Sequence, residues 1–135
     1  MLTAIVFILI IGTILAITVS LMGNTTQKTT NRYLYEQAQL LARSAAEYAV
    51  MAAQSQNLAN CLKKIDMQYQ NLYDINITLH YVGSGLPTNC PILANDVGHP
   101  ESNGSVLIDI WVHLKPSVSQ NENPISYFRR TLQKL

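Results

Sequence analysis

Charge is the first thing this sequence withholds. No charged side chain precedes Lys28, and no acidic one precedes Glu36. A cleaved secretory signal carries a basic stretch ahead of an apolar core of about 7–15 residues. Here the basic stretch is absent and the apolar run is longer, which argues against that reading. A basic excess is missing as well: nine Lys and Arg stand against eight Asp and Glu, a formal charge of +1. Nothing is left over to neutralise a phosphate backbone, so nucleic acid is not an expected partner. The chain has two cysteines and three histidines, His80, His99 and His113, without zinc-ligand spacing. It also lacks any GxSxG, P-loop, HExxH or GxGxxG spacing. No enzyme, cofactor or metal site is expected. With 135 residues the chain has room for one modest core and not for two.

What is present starts with MLTAIVFILIIGTILAITVSLM, Met1 to Met22, interrupted only by Thr3, Gly12, Thr13, Thr18 and Ser20. As a helix this run is roughly 33 Å long, close to the hydrocarbon thickness of a bilayer. A helix apolar on every face needs lipid or a larger protein around it, and a simple permanent anchor satisfies the same composition.

The helical pattern continues beyond the apolar run. Leu34, Ala38, Leu41, Ala45, Tyr48 and Ala52 recur at spacings of 4 and 3 and predict one apolar stripe, with Arg32, Glu36, Gln39, Arg43, Glu47 and Gln54 opposite. Arg43 and Glu47 are placed to pair at i, i+4. The weak points for bending or melting are Gly23-Asn24 and the following TTQKTT. Past about residue 60 the period shortens to two. INITLHYV, with Ile75, Ile77, Leu79 and Tyr81 on one face, reads as a half-buried strand. SVLIDIWVHL alternates likewise, with Asp109, Trp111 and His113 among the residues on the other face, and ISYFRRTL is a third, less regular candidate. Loops rich in Gly, Pro, Asn and Ser separate them.

The expected fold is therefore α+β: a long N-terminal helix packed on a small antiparallel sheet. Residues 1–24 are its apolar half, and 25–135 form a globular domain with the amphipathic helix to about 56, a loop, and the sheet over about 75–132. Cys61 and Cys90 flank the first predicted strand. A bond between them would close a loop of about 30 residues and contribute about 3–4 kcal/mol in the chain-entropy treatment, in an oxidising compartment; two buried thiols are the alternative.

A helix apolar first and amphipathic second, followed by a loop and a small sheet with two cysteines, resembles the type IV pilins and pseudopilins. IIGTILAIT, Ile10 to Thr18, is similar to the IIGILAAIA stretch of that family. YFRRTLQKL, Tyr127 to Leu135, resembles the terminus of a group of short bacterial pilin-like proteins. The resemblance implies a subunit held in the inner membrane and later packed into an extracellular pilus or periplasmic pseudopilus. Its partners would be copies of itself, other pilin-like subunits and the pilus or secretion machinery. It implies a methylated N-terminus, Met1, and a filament interface through Met1, Thr3, Ile5, Phe7, Gly12, Ala16, Ser20 and Tyr33. Gly12, Ala16 and Ser20, four residues apart, fall on one helix face, where small groups favour close packing between helices. The sequence departs from the family at one position. Family members carry a Glu five residues into the mature chain, and here Ile5 stands there, or Thr3 if Gly12 is aligned with the family glycine. A chain that is not a pilin would instead be a single-span anchored binding or scaffold domain.

Two further features stand out. Asn76 and Asn103 each follow an acid by two residues and precede Thr or Ser by two, as in Asp74-Ile75-Asn76-Ile77-Thr78 and Glu101-Ser102-Asn103-Gly104-Ser105. This resembles the acceptor site of bacterial N-glycosylation, against the plainer reading of a turn at Asn103 and a solvent-facing strand residue at Asn76. Arg129, Arg130 and Lys134 form a basic cluster suited to acids of a neighbouring subunit or simply to solvent.

Overall fold

The structure is a computed structural model that describes residues 2–55, 61–98, 104–116 and 124–135. One helix, α1 (Leu2–Ser55), precedes five strands: β1 (Lys64–Tyr69), β2 (Tyr73–Val82), β3 (Ile92–Ala94), β4 (Ser105–Leu114) and β5 (Ser126–Lys134). The fold is α+β, with the helix packed on the sheet. The chain divides into two compact units, Met1–Leu34 and Tyr35–Leu135.

In the first unit α1 contains neither Pro nor an internal acid, and the helix continues through Gly23 and Asn24. Six of its threonines satisfy their own hydroxyl protons. Thr13 and Thr18 donate to the carbonyls of Ile10 and Leu15, and Thr25, Thr26, Thr29 and Thr30 donate to carbonyls one turn back, all within 3.0 Å. A hydroxyl bonded to its own helix does not need water, which lowers the cost of placing it in an apolar medium.

In the second unit the sheet order is β1-β2-β4-β5, antiparallel throughout, with β3 added parallel to the end of β2. The core lies on one face of β2 and β4. Tyr73, Ile75, Ile77, Leu79 and Tyr81 alternate inward along β2, each opposite its β4 partner Leu114, Val112, Ile110, Ile108 and Val106, and all are buried. Fully burying an aliphatic side chain stabilises by about 1.5–3 kcal/mol, so these ten positions dominate the cohesion of the unit. The strands expected from alternation are β2, β4 and β5; β1 and β3 were not anticipated, and the sheet starts at Lys64 rather than about residue 75. β1 joins β2 through a tight turn in which Gln70 and Asn71 both have positive φ, 49° and 56°, and Leu72 N–H donates to the Tyr69 carbonyl.

The helix stripe sits elsewhere than the apolar spacing predicts. The buried positions of α1 are Ala38, Ala42, Ala45, Ala46, Ala49 and Ala53, while Tyr48 is 51% exposed and Leu34, Leu41 and Ala52 are half-buried. At 3.6 residues per turn this is a rotation of about 70° from the expected line. The cause is steric: the sheet already presents two rows of large side chains, and a helix seats closely on such a surface only through its smallest ones. Tyr73 Oη donates to Gln37 Oε1, and Tyr35 meets Tyr127 edge-on at 5.6 Å, which fixes this part of α1 over β2 and β5.

Candidate functional site

The most unusual surface is the first half of α1. Thr3 to Thr30 is exposed at every position, including Ile5 at 59% and Phe7 at 69%. This is the one described helix long and apolar enough to cross a membrane. Left in water, so continuous an apolar surface is strongly unfavourable, whereas lipid or other apolar helices cover it at little cost. Gly12, Ala16 and Ser20 lie on one exposed face, and a Cβ added at Gly12 would meet nothing within 4 Å. Thr3 is exposed, and no carboxylate lies on α1 before Glu36. Tyr33 is also exposed, at the end of this unit. Met1 lies outside the described residues.

In the second unit, Cys61 and Cys90 form a disulfide with Cα atoms 5.3 Å apart. It ties the segment leading into β1 to the loop between β2 and β3. Tyr81 supports the same corner: its hydroxyl donates to the Leu62 carbonyl at 3.0 Å, and burial pushes its pKa up despite that bond. Asn76 sits mid-strand in β2, half-buried, with its Nδ2 donating to Asp66 Oδ1 at 3.0 Å, so its amide is already engaged. Asn103 and His99 lie outside the described residues. His80 and His113 are not brought together, since His113 pairs with Asp74 and His80 lies six residues further along β2. Among the described residues no group of three His, Cys, Asp or Glu is placed to hold a metal ion.

The basic cluster resolves into two faces. Register sets Arg130 opposite Asp109 on the outer face and Arg129 opposite the buried Ile110 on the helix-facing side. Arg130 is therefore not free for a neighbour. Its Nε and Nη2 donate to the two carboxylate oxygens of Asp109 at 2.6 and 2.7 Å, a planar two-bond geometry that holds the Asp109 carboxyl below the usual range and raises the guanidinium. The pairing expected between Arg43 and Glu47 is not formed either.

Beside that ion pair the outer face carries an aromatic row not anticipated as a site. Trp111 and Phe128 are opposite one another in the β4–β5 register, with ring centroids 4.4 Å apart. His113 lies parallel to Trp111 at 5.9 Å, and the Arg130 guanidinium is 5.7 Å from the Phe128 ring. Trp111 remains 44% exposed. The alternation in SVLIDIWVHL places Trp111 on the solvent side, and a Trp at such a position was the available signal; Phe128 and Arg130 as its neighbours needed the register. No protein-family model, curated protein or solved structure matches the chain in comparison.

Proposed function

We propose that the chain is a structural subunit of a type IV pilus-like filament, extracellular or periplasmic. It is held in the inner membrane before assembly and packed through its N-terminal helix afterwards. The observation that carries this reading is the uncovered apolar half of α1, continuous in the same helix with an amphipathic half that covers a sheet. An anchor alone requires only the first feature. The combination, together with IIGTILAIT and the YFRRTLQKL terminus, is what resembles a pilin.

The mechanism is exchange of one apolar environment for another. In the membrane the side chains from Thr3 to Met22 face lipid; in a filament the same side chains face equivalent helices. Hydrophobicity is nearly unchanged in that exchange, so the driving force has to come from close packing, and Gly12, Ala16 and Ser20 allow backbones to approach. The self-bonded threonines make both environments tolerable. With Ile5 or Thr3 in place of the family's Glu, the N-terminal amine needs another acceptor, such as the Thr3 hydroxyl or a backbone carbonyl, because an unpaired charge in an apolar core is costly.

The test is the intact mass of this protein in material sheared from the cell surface and in the membrane fraction, before and after reduction. Recovery in the sheared material with a methylated N-terminus is the expected result. Recovery only in the membrane, unprocessed, favours instead a single-span anchored binding domain. That second reading draws its support from the exposed Trp111 and Phe128 pair, since aromatic side chains are enriched where partners bind.

A further inference from the structure

The second half of α1 covers one face of the sheet, and the other face divides into two halves. On β1 and β2 its outward residues are polar, with Asp66 and Gln68 beside Asp74 and Asn76. On β4 and β5 it carries Trp111, His113 and Phe128, all exposed. Register sets Asn76 opposite Trp111 and Trp111 opposite Phe128, so amide, indole and phenyl ring stand in one row across the sheet. Asp66 completes that row on β1, opposite Asn76. Phe128, tilted by 39°, and His113, parallel to within 5°, flank the indole, which stays 44% exposed between them.

The charges around this row are closed among themselves. Arg130 holds Asp109, Lys64 Nζ lies 2.9 Å from Asp66, and Lys115 Nζ stands 3.7 Å from Asp74 while donating to Gln68 and Asn71. Three cations against three carboxylates leave no net charge to select an ionic ligand. Hydrogen-bonding capacity, by contrast, is left over. A groove of about 490 Å³ adjoins the row, lined on this face by Asp66, Gln68, Asp74 and Asn76 over the Met67–Ile75 rung. Asn76 gives its Nδ2 to Asp66 at 3.0 Å, which fixes the amide and leaves its Oδ1 without a partner among the described residues.

We propose that this face binds a neutral sugar, with the C–H side of a pyranose ring on Trp111 and its hydroxyls taken by Asn76 and the adjoining groove. A pyranose has no charge, one apolar side, and a rim of hydroxyls that both donate and accept. It therefore needs an aromatic surface bordered by fixed hydrogen-bonding groups, which is the arrangement across β1, β2 and β4. Size argues against a protein partner. With Trp111 44% and Phe128 40% exposed, the rings offer no more than about 200 Å² of open surface. A standard protein interface buries about 800 Å² on each side, more than half of it apolar. The next apolar rung, Leu107 opposite Leu132, is separated from the rings by the Asp109–Arg130 ion pair. Nothing in this site depends on the filament reading, because all of it lies within the globular unit.

The experiment titrates the full chain in zwitterionic micelles with glucose, galactose, N-acetylglucosamine and short β-linked oligomers of each. Binding is read through the fluorescence of Trp111, the only Trp, and through saturation transfer from protein to sugar protons. A saturable change with at least one of these sugars is expected, with transfer concentrated on the C–H protons of one ring face. Affinity should be the same at low and high salt, since the ligand is neutral. Trp111→Ala should abolish the transfer, Trp111→Phe should restore part of it, and Asn76→Ala should weaken binding about fivefold or more. Circular dichroism melting is the folding control; if Trp111→Ala does not melt cooperatively, Asn76→Ala carries the test, since its side chain is half-buried on the outward face. Absence of saturation with every one of these sugars overturns the proposal, as does transfer undiminished in a folded Trp111→Ala or Asn76→Ala. A Trp111 signal that follows protein concentration and not sugar overturns it as well, and makes this face a contact between copies.

Discussion

Ala49→Leu tests whether the helix seats on the sheet through its alanines. Ala49 is completely buried, on the α1 face turned to the rows formed by β2 and β4, where Ile77, Leu79, Ile108 and Ile110 are also completely buried. Three added carbon atoms have no space to enter and must displace either the helix or those side chains. Overpacking of this kind costs about 1–3 kcal/mol. For a unit of about 100 residues each kcal/mol lowers the melting temperature by about 4–8 °C, so the expected fall is ~5–20 °C. Tyr48→Ala is the matched comparison. Tyr48 lies on the line that apolar spacing selects, yet it is half exposed, and Ala regains helix propensity, so its loss should stay below about 1 kcal/mol. Both are measured by thermal unfolding of the full chain in zwitterionic micelles, followed through Trp111. It is the only Trp and sits on β4, so it reports the sheet rather than the apolar helix half. If Ala49→Leu melts with wild type while Tyr48→Ala falls by more than about 10 °C, the core-facing line is the one through Leu41, Tyr48 and Ala52 and the packing argument is wrong.

Three other outcomes are expected. Replacing both Cys61 and Cys90 by Ser frees a loop with a sequence separation of 29 and should cost about 3–4 kcal/mol, read as a lower urea midpoint; an unchanged midpoint would mean the loop is already ordered without the bond. Because Arg130 holds the Asp109 carboxyl below its ordinary pKa, the stability it contributes is complete above the unfolded value near ~4 and is lost as pH falls through the lower folded value. Asp109→Asn should therefore flatten the acid limb of melting temperature against pH, and parallel limbs in the two proteins would remove this pair as the cause. On the filament reading proposed above, Gly12→Leu should disrupt filaments while leaving membrane insertion intact, since a larger side chain there meets nothing in the isolated chain; normal filament yield would take Gly12 out of the interface.

The parts of the fold legible in the sequence are those in which a side chain's own hydrophobicity decides its position. β4 is an example: SVLIDIWVHL alternates, and its bounds and its core face follow from that alone. β1 was equally alternating, with Ile65, Met67 and Tyr69 on the face of Ile77, Ile75 and Tyr73. Its signal is weak because its other residues are charged or carry amides and its turn, Gln70-Asn71, lacks the glycine that ordinarily advertises positive φ. The helix stripe keeps Ala38 and Ala45 in the core but is rotated away from Tyr48, for a different reason. Spacing arguments rank Leu and Tyr above Ala as core residues, but the partner surface here is already filled by Tyr73, Ile77, Ile108 and Ile110, and contact goes to whatever is small enough. Burial on α1 was a property of the sheet, which the helix sequence does not contain.

The same distinction separates the two charged residues that adjoin in sequence. Arg129 and Arg130 look like one basic patch until strand register assigns them to opposite faces. Arg130 then finds Asp109, a position fixed by β4 and far away in the chain, and the pair becomes a planar, two-bond contact beside an exposed aromatic row. Arg129 is directed inward at the sheet edge, with a buried donor left unanswered within its own chain. An inward charge on an edge strand discourages indiscriminate strand pairing, and an unanswered donor favours an acceptor from elsewhere. Together these effects leave β5 unfavourable for a further strand but receptive to a single carboxylate.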